Sequence, residues 1–368
     1  MPKAQQTVLE IDLNALTHNY NYLKSKLKPE TKFLAVVKAF GYGSDACEIA
    51  KHLQELGTDY FAVAYVKEGV ALRDAGITKP ILVLHPQPVN FETLIDHCLE
   101  PNIYSAKILN EFITAAELKR QTDYPIHIKF NTGLNRLGFS ESDIKYIHSQ
   151  ILKTKAVKIK SIFSHMAASE DLNEREFTNG QINSFKNIID NFSNLFGYLP
   201  LLHMCNTSGI LNYPEAHFDM VRSGIGIYGF GNSELESKNF KPIGTLKSVI
   251  SQIHHIKKGD TVGYNRAYKS DASLKTATIP IGHADGIGRQ YGNGKGFVTI
   301  NGKYAPIVGN VCMDMIMINI TDIDCEEGDE VIVFGMHPSA EEFAKTANTI
   351  SYEIITAISQ RVKRIILK

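Results

Sequence analysis

The sequence predicts an α/β barrel of eight strand–helix units followed by a mainly-β domain. In the first two thirds of the 368 residues, short β-branched strands alternate with longer helical patterns. From about Pro242, short alternating strands take over, and Gly, Asn and Asp turn signals separate them. The length exceeds that of one ordinary small domain and suits a barrel with an appended domain.

Each predicted barrel strand is a short apolar run followed by a helical pattern. The strands are predicted at residues 32–38, 60–65, 80–85, 102–105, 126–131, 159–166, 199–206 and 218–222. Eight such units in about 200 residues are what a TIM (β/α)8 barrel requires, here over residues 12–240. An open doubly wound sheet is the competing fold. It is less favoured because Gly41 and Gly43 do not complete a G-x-G-x-x-G phosphate turn.

The predicted C-terminal domain covers residues 241–368. Its strands are predicted at 246–254, 276–281, 297–300, 304–308, 315–320 and 330–334, with a helix from about Ala340. The N-terminal segment 1–11, whose strand pattern begins at Thr7, could pair with either domain, and we predict that it packs against this one.

The composition excludes several classes of protein. Lys plus Arg and Asp plus Glu are both 39, and no basic run occurs, which argues against a nucleic-acid binder. The longest apolar stretches have the length of strands, which argues against a membrane span. The first six residues lack an apolar signal core, which argues against secretion by a signal peptide. Five widely spaced cysteines without a C-x-x-C favour reduced thiols in a cytoplasm over a disulfide framework or a zinc site.

Ionisable residues follow several predicted barrel strands, where this fold places its active sites. They are Lys38, Lys129, Arg136, His165, His203 and Arg222, with Asn206 and Thr207 beside them. Taken alone, Lys38 is most simply a lysine that reaches solvent, and its functional interpretation is a Schiff-base lysine. Arg222 alone is most simply an ion-paired residue, while Gly224 and Ile225 after it offer backbone N–H groups to an anion.

Nine segments, in order, carry a resemblance over nearly the whole chain. They are AVVKAFGYG (35–43), HIKFNTGLNRLG (127–138), SH (164–165), HMCN (203–206), VRSGI (221–225), GY (263–264), ADG (284–286), CMD (312–314) and YE (352–353). In these segments the sequence resembles the alanine racemases, pyridoxal 5'-phosphate enzymes that combine a barrel with a β domain.

The resemblance implies an enzyme that interconverts L- and D-alanine by a two-base mechanism. Lys38 would bind the cofactor and act as one acid/base, and Tyr264 would act from the opposite face of the substrate. Both side chains have free pKa values of about 10, so they need nearby cations or desolvation to work near neutral pH. The family context implies that D-alanine supplies peptidoglycan synthesis.

The resemblance also assigns the residues around the cofactor. Arg222 would face the pyridine nitrogen, His203 would orient Arg222, and His165 would lie beside the ring. The remaining cofactor positions, which are mainly phosphate ligands, are Tyr42, Asn206, Thr207, Gly224, Ile225 and Tyr352.

Further positions are implied for the substrate. Arg136 and the backbone N–H of Met313 would bind the carboxylate, and Asp314 would support the site. Lys129 matches a lysine that is often carbamylated in the family. Tyr264 and Met313 reach the barrel of a second subunit in the family, so the resemblance implies a homodimer with shared sites.

Some positions depart from the family pattern. Phe40, Gly41, Ser44 and Asp45 replace its usual residues after the lysine, and His283 stands for a tyrosine near the substrate entrance. Because of His283, a racemase that acts on serine or on several amino acids is an alternative to one specific for alanine. A non-catalytic pyridoxal-phosphate carrier and a barrel decarboxylase are also candidates, and Tyr264 and Met313 argue against the carrier.

Overall fold

The structure of the chain is a computed structural model that describes residues 6–368. It divides into two compact units. The β unit contains the described residues up to Leu16, Tyr42–Asp45 and Lys241–Lys368, and the barrel unit contains Thr17–Gly41 and Ala46–Phe240. Residues 1–5 of the predicted segment 1–11 lie outside the described residues.

Strands and helices alternate along the chain up to Phe240. The chain begins with β1 (Val8–Asp12), which belongs to the β unit, and α1 (Leu13–Lys24), which spans the boundary at Leu16. The next elements are β2 (Lys32–Val36), α2 (Lys38–Tyr42), α3 (Ala46–Glu55), β3 (Tyr60–Val63), α4 (Val66–Asp74), β4 (Ile81–Val83), α5 (Phe91–Asp96), β5 (Glu100–Ile103) and α6 (Ala106–Leu118). Then come β6 (Tyr124–Lys129), α7 (Ile144–Ile151), β7 (Val157–Phe163), α8 (Arg175–Phe196), β8 (Leu201–His203), α9 (Thr207–Asn212), β9 (Met220–Ser223) and α10 (Glu234–Ser237).

Eight parallel strands form the barrel in the order β8-β7-β6-β5-β4-β3-β2-β9. The two end strands meet through backbone hydrogen bonds from Asp219 to Leu202 and from Arg222 to Cys205, which nearly close the sheet. The predicted (β/α)8 barrel is therefore confirmed. In this fold the carboxyl ends of all strands point to one face, so residues that follow them converge there.

The long helix α8 shows why the sequence folds in this way. Its buried residues recur every three or four positions and form one buried, mainly apolar face: Thr178, Gln181, Ile182, Phe185, Ile188, Ile189 and Phe192. The helix ends at Gly197, whose φ of 73° is the left-handed conformation that glycine adopts readily.

The β unit is mainly strands with two short helices near its end. Its elements after β1 are β10 (Gly244–Val249), β11 (Gln252–Ile256), β12 (Thr261–Val262), β13 (Tyr268–Lys269), β14 (Leu274–Ile279), β15 (Phe297–Ile300), β16 (Lys303–Val308), β17 (Ile316–Asn319), β18 (Glu330–Phe334), α11 (Ala340–Lys345), α12 (Ser351–Ala357) and β19 (Lys363–Leu367). Nine of its strands form one sheet in the order β11-β14-β17-β16-β15-β18-β10-β1-β19. The predicted mainly-β fold of this part is confirmed.

Two predicted strands were wrong in detail, and one strand was not predicted. The predicted strand 246–254 is two strands, because Ile250 bonds to Asp329 whereas Ser251 bonds to Thr278, so the chain changes its partner strand there. The predicted strand 102–105 begins two residues earlier, at the start of β5. The final strand β19 was not predicted, and it pairs in parallel with β1.

None of the helices within residues 6–368 combines the length and apolarity that crossing a membrane requires.

Candidate active site

Lys38 follows β2 and begins a turn of left-handed backbone. Ala39, Phe40, Gly41 and Tyr42 all have positive φ values, between 52° and 63°. For residues other than glycine this conformation costs about 1–2 kcal/mol each, and such strain is often found at functional sites. This backbone was not predicted from the sequence.

Glu68, at the start of α4, holds this turn in place. One carboxylate oxygen accepts a hydrogen bond from the backbone N–H of Ala39 at 2.6 Å. The other accepts from the N–H groups of Ala64 and Tyr65, at 2.7 and 3.1 Å. Glu68 thus ties the segment after β2 to the segment after β3, and the backbone at Lys38 is fixed.

Four cations lie together at the carboxyl ends of the barrel strands: Lys38, Lys129, Arg136 and Arg222. Burial is the main cause that lowers the pKa of Lys38; the Arg136 charge lowers it further and Glu68 opposes this. Burial, together with Arg136, Arg222 and Lys38, lowers the pKa of Lys129 to about 8. A cluster of this kind favours an anionic ligand, which would offset the mutual repulsion.

Arg222 is the most deeply buried of these cations, with 5% of its surface exposed. Its Nη1 donates to His203 Nδ1 at 2.6 Å, and its Nη2 donates to His165 Nδ1 at 3.0 Å. Nη2 also donates to the carbonyls of Ser164 and Met204. Within residues 6–368, no carboxylate lies at ion-pair distance from this guanidinium.

The two histidines remain neutral beside this charge. Burial is the main cause that lowers the pKa of both His165 and His203 well below the usual range, and the Arg222 charge adds to it. Burial also lowers the pKa of Arg222, to about 10, so its guanidinium stays charged at neutral pH. The site therefore presents a charged donor flanked by two neutral rings.

The start of α9 and the turn after β9 form a second part of the barrel site. The Thr207 and Ser223 hydroxyls are 3.0 Å apart, and the Gly226 N–H donates to Thr207 Oγ1 at 3.3 Å. A Cβ atom at Gly226 would lie 2.6 Å from the Thr207 methyl group, so the close approach requires glycine. Ile225 begins a 3-10 helix, whose first N–H groups have no partner within the helix.

Asn206 has a structural role. Its side chain caps α9 by accepting from the Gly209 N–H at 2.8 Å, and it also accepts from the Ser169 hydroxyl. This cap fixes the start of the helix on which Thr207 lies.

The β unit carries Tyr264, His283, Met313 and Asp314. The side chains of Tyr264 and Met313 are largely exposed, since the two residues expose 73% and 58% of their surface. The backbone N–H groups of His283 and Ala284 donate to the carbonyls of Cys312 and Met313, so these two segments lie side by side.

Arg361 stabilises this pair of segments. It donates two hydrogen bonds to Asp285, at 2.7 and 3.0 Å, and a third to Asp314 at 2.7 Å. A Cβ atom at Gly282 would lie 2.4 Å from the carbonyl oxygens of both Cys312 and Met313. The conformation of the Met313 segment therefore depends on a glycine and an arginine that were not predicted from the sequence.

Tyr42 and Tyr352 contact each other within the β unit, with ring centroids 6.0 Å apart. Tyr42 is buried, and burial raises the pKa of its hydroxyl, with a smaller contribution from Tyr352. The Tyr42 hydroxyl therefore remains a protonated donor at neutral pH.

The structure thus collects the predicted residues in two groups, one in each unit. The roles of these residues stay predictions. Glu68 was not predicted, because its partner Ala39 is distant along the chain. His127 lies in one of the nine segments but received no role, and a histidine inside a buried strand is the signal that was available.

Two family models match the chain: the N-terminal domain of alanine racemase over residues 11–231 and its C-terminal domain over residues 243–366. Alanine racemase from Thermodesulfovibrio yellowstonii is 37% identical, over 96% of both chains. Alanine racemase 1 from Caldanaerobacter subterraneus is 34% identical, over 98% of this chain and 94% of the relative.

Solved structures agree with this result. Alanine racemase from Clostridium difficile 630 has a TM-score of 0.93 and 33% identity, covering 100% of this chain and 97% of that one. Alanine racemase from a D-cycloserine-producing Streptomyces lavendulae has a TM-score of 0.94 and 28% identity, covering 100% and 98%. Fold and relatives together define an amino-acid racemase, an isomerase. The chain belongs to the alanine racemase family.

Proposed function

We propose that this chain interconverts L- and D-alanine with pyridoxal 5'-phosphate as its cofactor. The observation that carries the proposal is Arg222, a buried cation without a carboxylate partner in the described chain, beside Lys38 and Lys129. Solved relatives support the substrate. The alanine racemase from Bacillus anthracis was solved with bound L-Ala-P, and the one from Clostridium difficile in complex with cycloserine.

The residues of the barrel unit fit this cofactor. A phosphorylated ring and a substrate carboxylate bring negative charge, and the four cations at the strand ends lack an equivalent number of acidic partners within residues 6–368. The Thr207 hydroxyl and the Gly224 and Ile225 N–H groups are donors of the kind that phosphate prefers. Tyr42 and Tyr352, which belong to the β unit, are two further candidate phenolic donors.

Bound pyridoxal 5'-phosphate would supply the electron sink that makes the substrate Cα–H acidic. Lys38 would hold it covalently, and a lysine with a lowered pKa is suited to this role because more of its amine is unprotonated. Arg222 would donate a hydrogen bond to the pyridine nitrogen. Since a guanidinium with a pKa of about 10 keeps its own protons, it would leave that nitrogen unprotonated.

We further propose a two-base mechanism. Lys38 Nζ would move a proton at one face of Cα, and the Tyr264 hydroxyl would move one at the other face. Each group would then act as acid in one direction and as base in the other. The assignment of the two bases to opposite faces is supported by their location in different units: Lys38 belongs to the barrel unit and Tyr264 to the β unit.

Arg136 and the Met313 N–H would bind the substrate carboxylate. Lys129 would support Arg136 after carbamylation, in which its neutral amine nitrogen bonds to the carbon of CO2 and releases one proton. The low pKa of about 8 supports this step, because it gives a sizeable neutral fraction near physiological pH.

The active sites are proposed to be shared in a homodimer. The side chains of Tyr264 and Met313 are large and exposed, as expected for residues that contact a second copy of the chain. The D-alanine would supply peptidoglycan synthesis.

A second candidate is a racemase with broader specificity, including serine. His283 favours it, because its backbone is paired with the segment that carries Met313, the proposed carboxylate ligand. A histidine at this point offers a hydrogen-bonding group that would suit a substrate hydroxyl.

Absorption spectra and chiral product analysis test the proposal. Purified protein is mixed with pyridoxal 5'-phosphate, then with L-alanine or L-serine, and the enantiomers are separated. We expect a visible band of lysine-bound cofactor and D-alanine as the main product. Comparable D-serine would support the second candidate, and a band without any D-amino acid would contradict both.

A further inference from the structure

A chain of hydrogen bonds runs through the barrel interior from Arg222 to Glu100. Arg222 Nη1 and His203 Nδ1 are 2.6 Å apart, and His203 Nε2 lies 3.0 Å from Ser161 Oγ. Ser161 Oγ lies 2.6 Å from His127 Nδ1, and His127 Nε2 lies 2.6 Å from Glu100 Oε2. All five residues are more than nine-tenths buried, and His127, Ser161 and His203 are wholly buried. We call these five residues the barrel relay.

The first bond of the barrel relay has only one possible direction. A guanidinium has donors and no acceptor, so Arg222 donates and His203 Nδ1 accepts. His203 then carries its proton on Nε2. That N–H donates to Ser161 Oγ.

The remaining bonds follow from this direction. Within residues 6–368, Ser161 Oγ has no hydrogen-bond partner besides the two histidines, so its own proton goes to His127 Nδ1. His127 is then also an Nε2–H ring, and it donates to the Glu100 carboxylate. Every proton in the barrel relay points from Arg222 towards Glu100.

Neighbouring aromatic rings pack against both histidines. Phe163 stacks on His203, with centroids 4.6 Å apart and an interplanar angle of 4°. Tyr60 contacts His127 edge to face at 6.2 Å. These contacts fix the planes of the two rings, and the hydrogen bonds set which ring nitrogen faces each partner.

We propose that Ser161, His127 and Glu100 are positioning residues, which keep His203 an acceptor and thereby hold Arg222 charged and in place. The aligned hydrogen bonds connect Arg222, a buried cation without an adjacent carboxylate, to the buried carboxylate of Glu100 at the other end of the barrel relay. The link to catalysis rests on the proposed function of Arg222, whereas the direction of the barrel relay does not.

Nitrogen NMR of the full chain with 15N-labelled histidine rings tests the direction, with and without added pyridoxal 5'-phosphate. His127→Gln and His203→Gln assign the two rings among the 13 histidines. We expect both rings to be neutral with the proton on Nε2. A proton on Nδ1 of either ring, including a doubly protonated His127, would overturn the proposal.

Ser161→Ala tests the link to Arg222. The substitution removes the hydrogen bonds of Ser161 Oγ to His203 and His127. We expect kcat for L-alanine to fall about tenfold and KM to stay within about twofold, as for the loss of a buried hydrogen bond. The His203 Nε2–H resonance should shift as well. Ser248→Ala is the matched control: its serine is equally buried, bonds to Thr7, and lies in the β unit. Equal losses in both variants, or an unchanged kcat in Ser161→Ala, would overturn the positioning role.

Glu100→Gln keeps the proposal testable if Ser161→Ala does not fold. The amide oxygen still accepts from His127 but lacks the charge, so we expect a smaller loss of kcat, about threefold, and a shifted His127 Nε2–H resonance. An unmoved resonance would overturn the proposal. If the unmodified enzyme forms no D-amino acid, the proposed function fails while the ring tautomers still decide the direction of the barrel relay.

Discussion

The two groups of site residues differ in how they are held. In the barrel unit, Arg222 has four hydrogen-bond partners and lies almost fully buried. In the β unit, Tyr264 and Met313 are exposed, and backbone pairing and the Arg361 ion pairs position the Met313 segment. These bonds hold the Arg222 guanidinium in one orientation, as the proposed anionic cofactor would require. In the proposed homodimer, the β group would act with the barrel group of the second copy.

The largest effect is expected from Lys38→Ala. Loss of the amine removes the proposed covalent attachment and one acid/base group, so racemisation should fall about a thousandfold or more. The visible band of bound cofactor should disappear. An unchanged band would exclude Lys38 as the attachment point.

Lys129→Met tests the charge cluster through stability. Lys129 is a buried cation whose folded pKa, about 8, lies below its ordinary value of 10.5, so its charged form is destabilised in the native state. Below pH 8 the penalty is fully present, at up to about 3 kcal/mol, and it fades as pH rises towards 10.5. In protein kept free of carbon dioxide, the variant should therefore unfold at higher urea at about pH 7, with a smaller gain at about pH 9.5.

If Lys129→Met is instead less stable to urea than the unmodified protein, an anion holds Lys129 in the native state. If the variant is less stable at neutral pH when bicarbonate is present, and more stable when it is absent, the carbamate of the proposed function gains support. No difference at either pH would contradict the described charge cluster.

Gly282→Ala should damage the β group while sparing the barrel group. The added methyl would lie 2.4 Å from two carbonyl oxygens and displace the segment that carries Met313. We expect kcat/KM for L-alanine to fall about tenfold, with the cofactor band unchanged. Gly180→Ala is the control, since its Cβ meets nothing within 4 Å. A weakened cofactor band in Gly282→Ala would show that the two groups are not separable.

Arg361→Met should have the smallest effect. Arg361 itself is half exposed, so solvent screens its ion pairs, and the buried Asp285 keeps a hydrogen bond from the Gly282 N–H. We therefore expect KM to rise about two- to fivefold with kcat nearly unchanged. Steady-state kinetics check this. An unchanged KM would remove Arg361 from the support of Met313.

The sequence predicted the barrel because the period and spacing of apolar residues report local burial. It also placed Lys38 and Arg222 at strand ends, where this fold builds its active sites, whereas their individual roles were implied only by the family resemblance. It did not predict the left-handed turn after Lys38, since Ala39 and Phe40 have no preference for positive φ and Glu68 fixes them from a distance. The barrel relay was missed for the same reason. Glu100 and His127 become partners only when neighbouring strands pair.

Deuterium exchange in Tyr264→Phe tests the central proposal most directly, namely that Lys38 and Tyr264 act as the two bases from opposite faces of the substrate. The variant, loaded with cofactor, is incubated in D2O with L-alanine and with D-alanine, and deuterium at Cα is followed separately for each. We predict that one enantiomer still exchanges through Lys38 while exchange of the other falls about 100-fold or more. Equal rates for both enantiomers would contradict the two-base assignment.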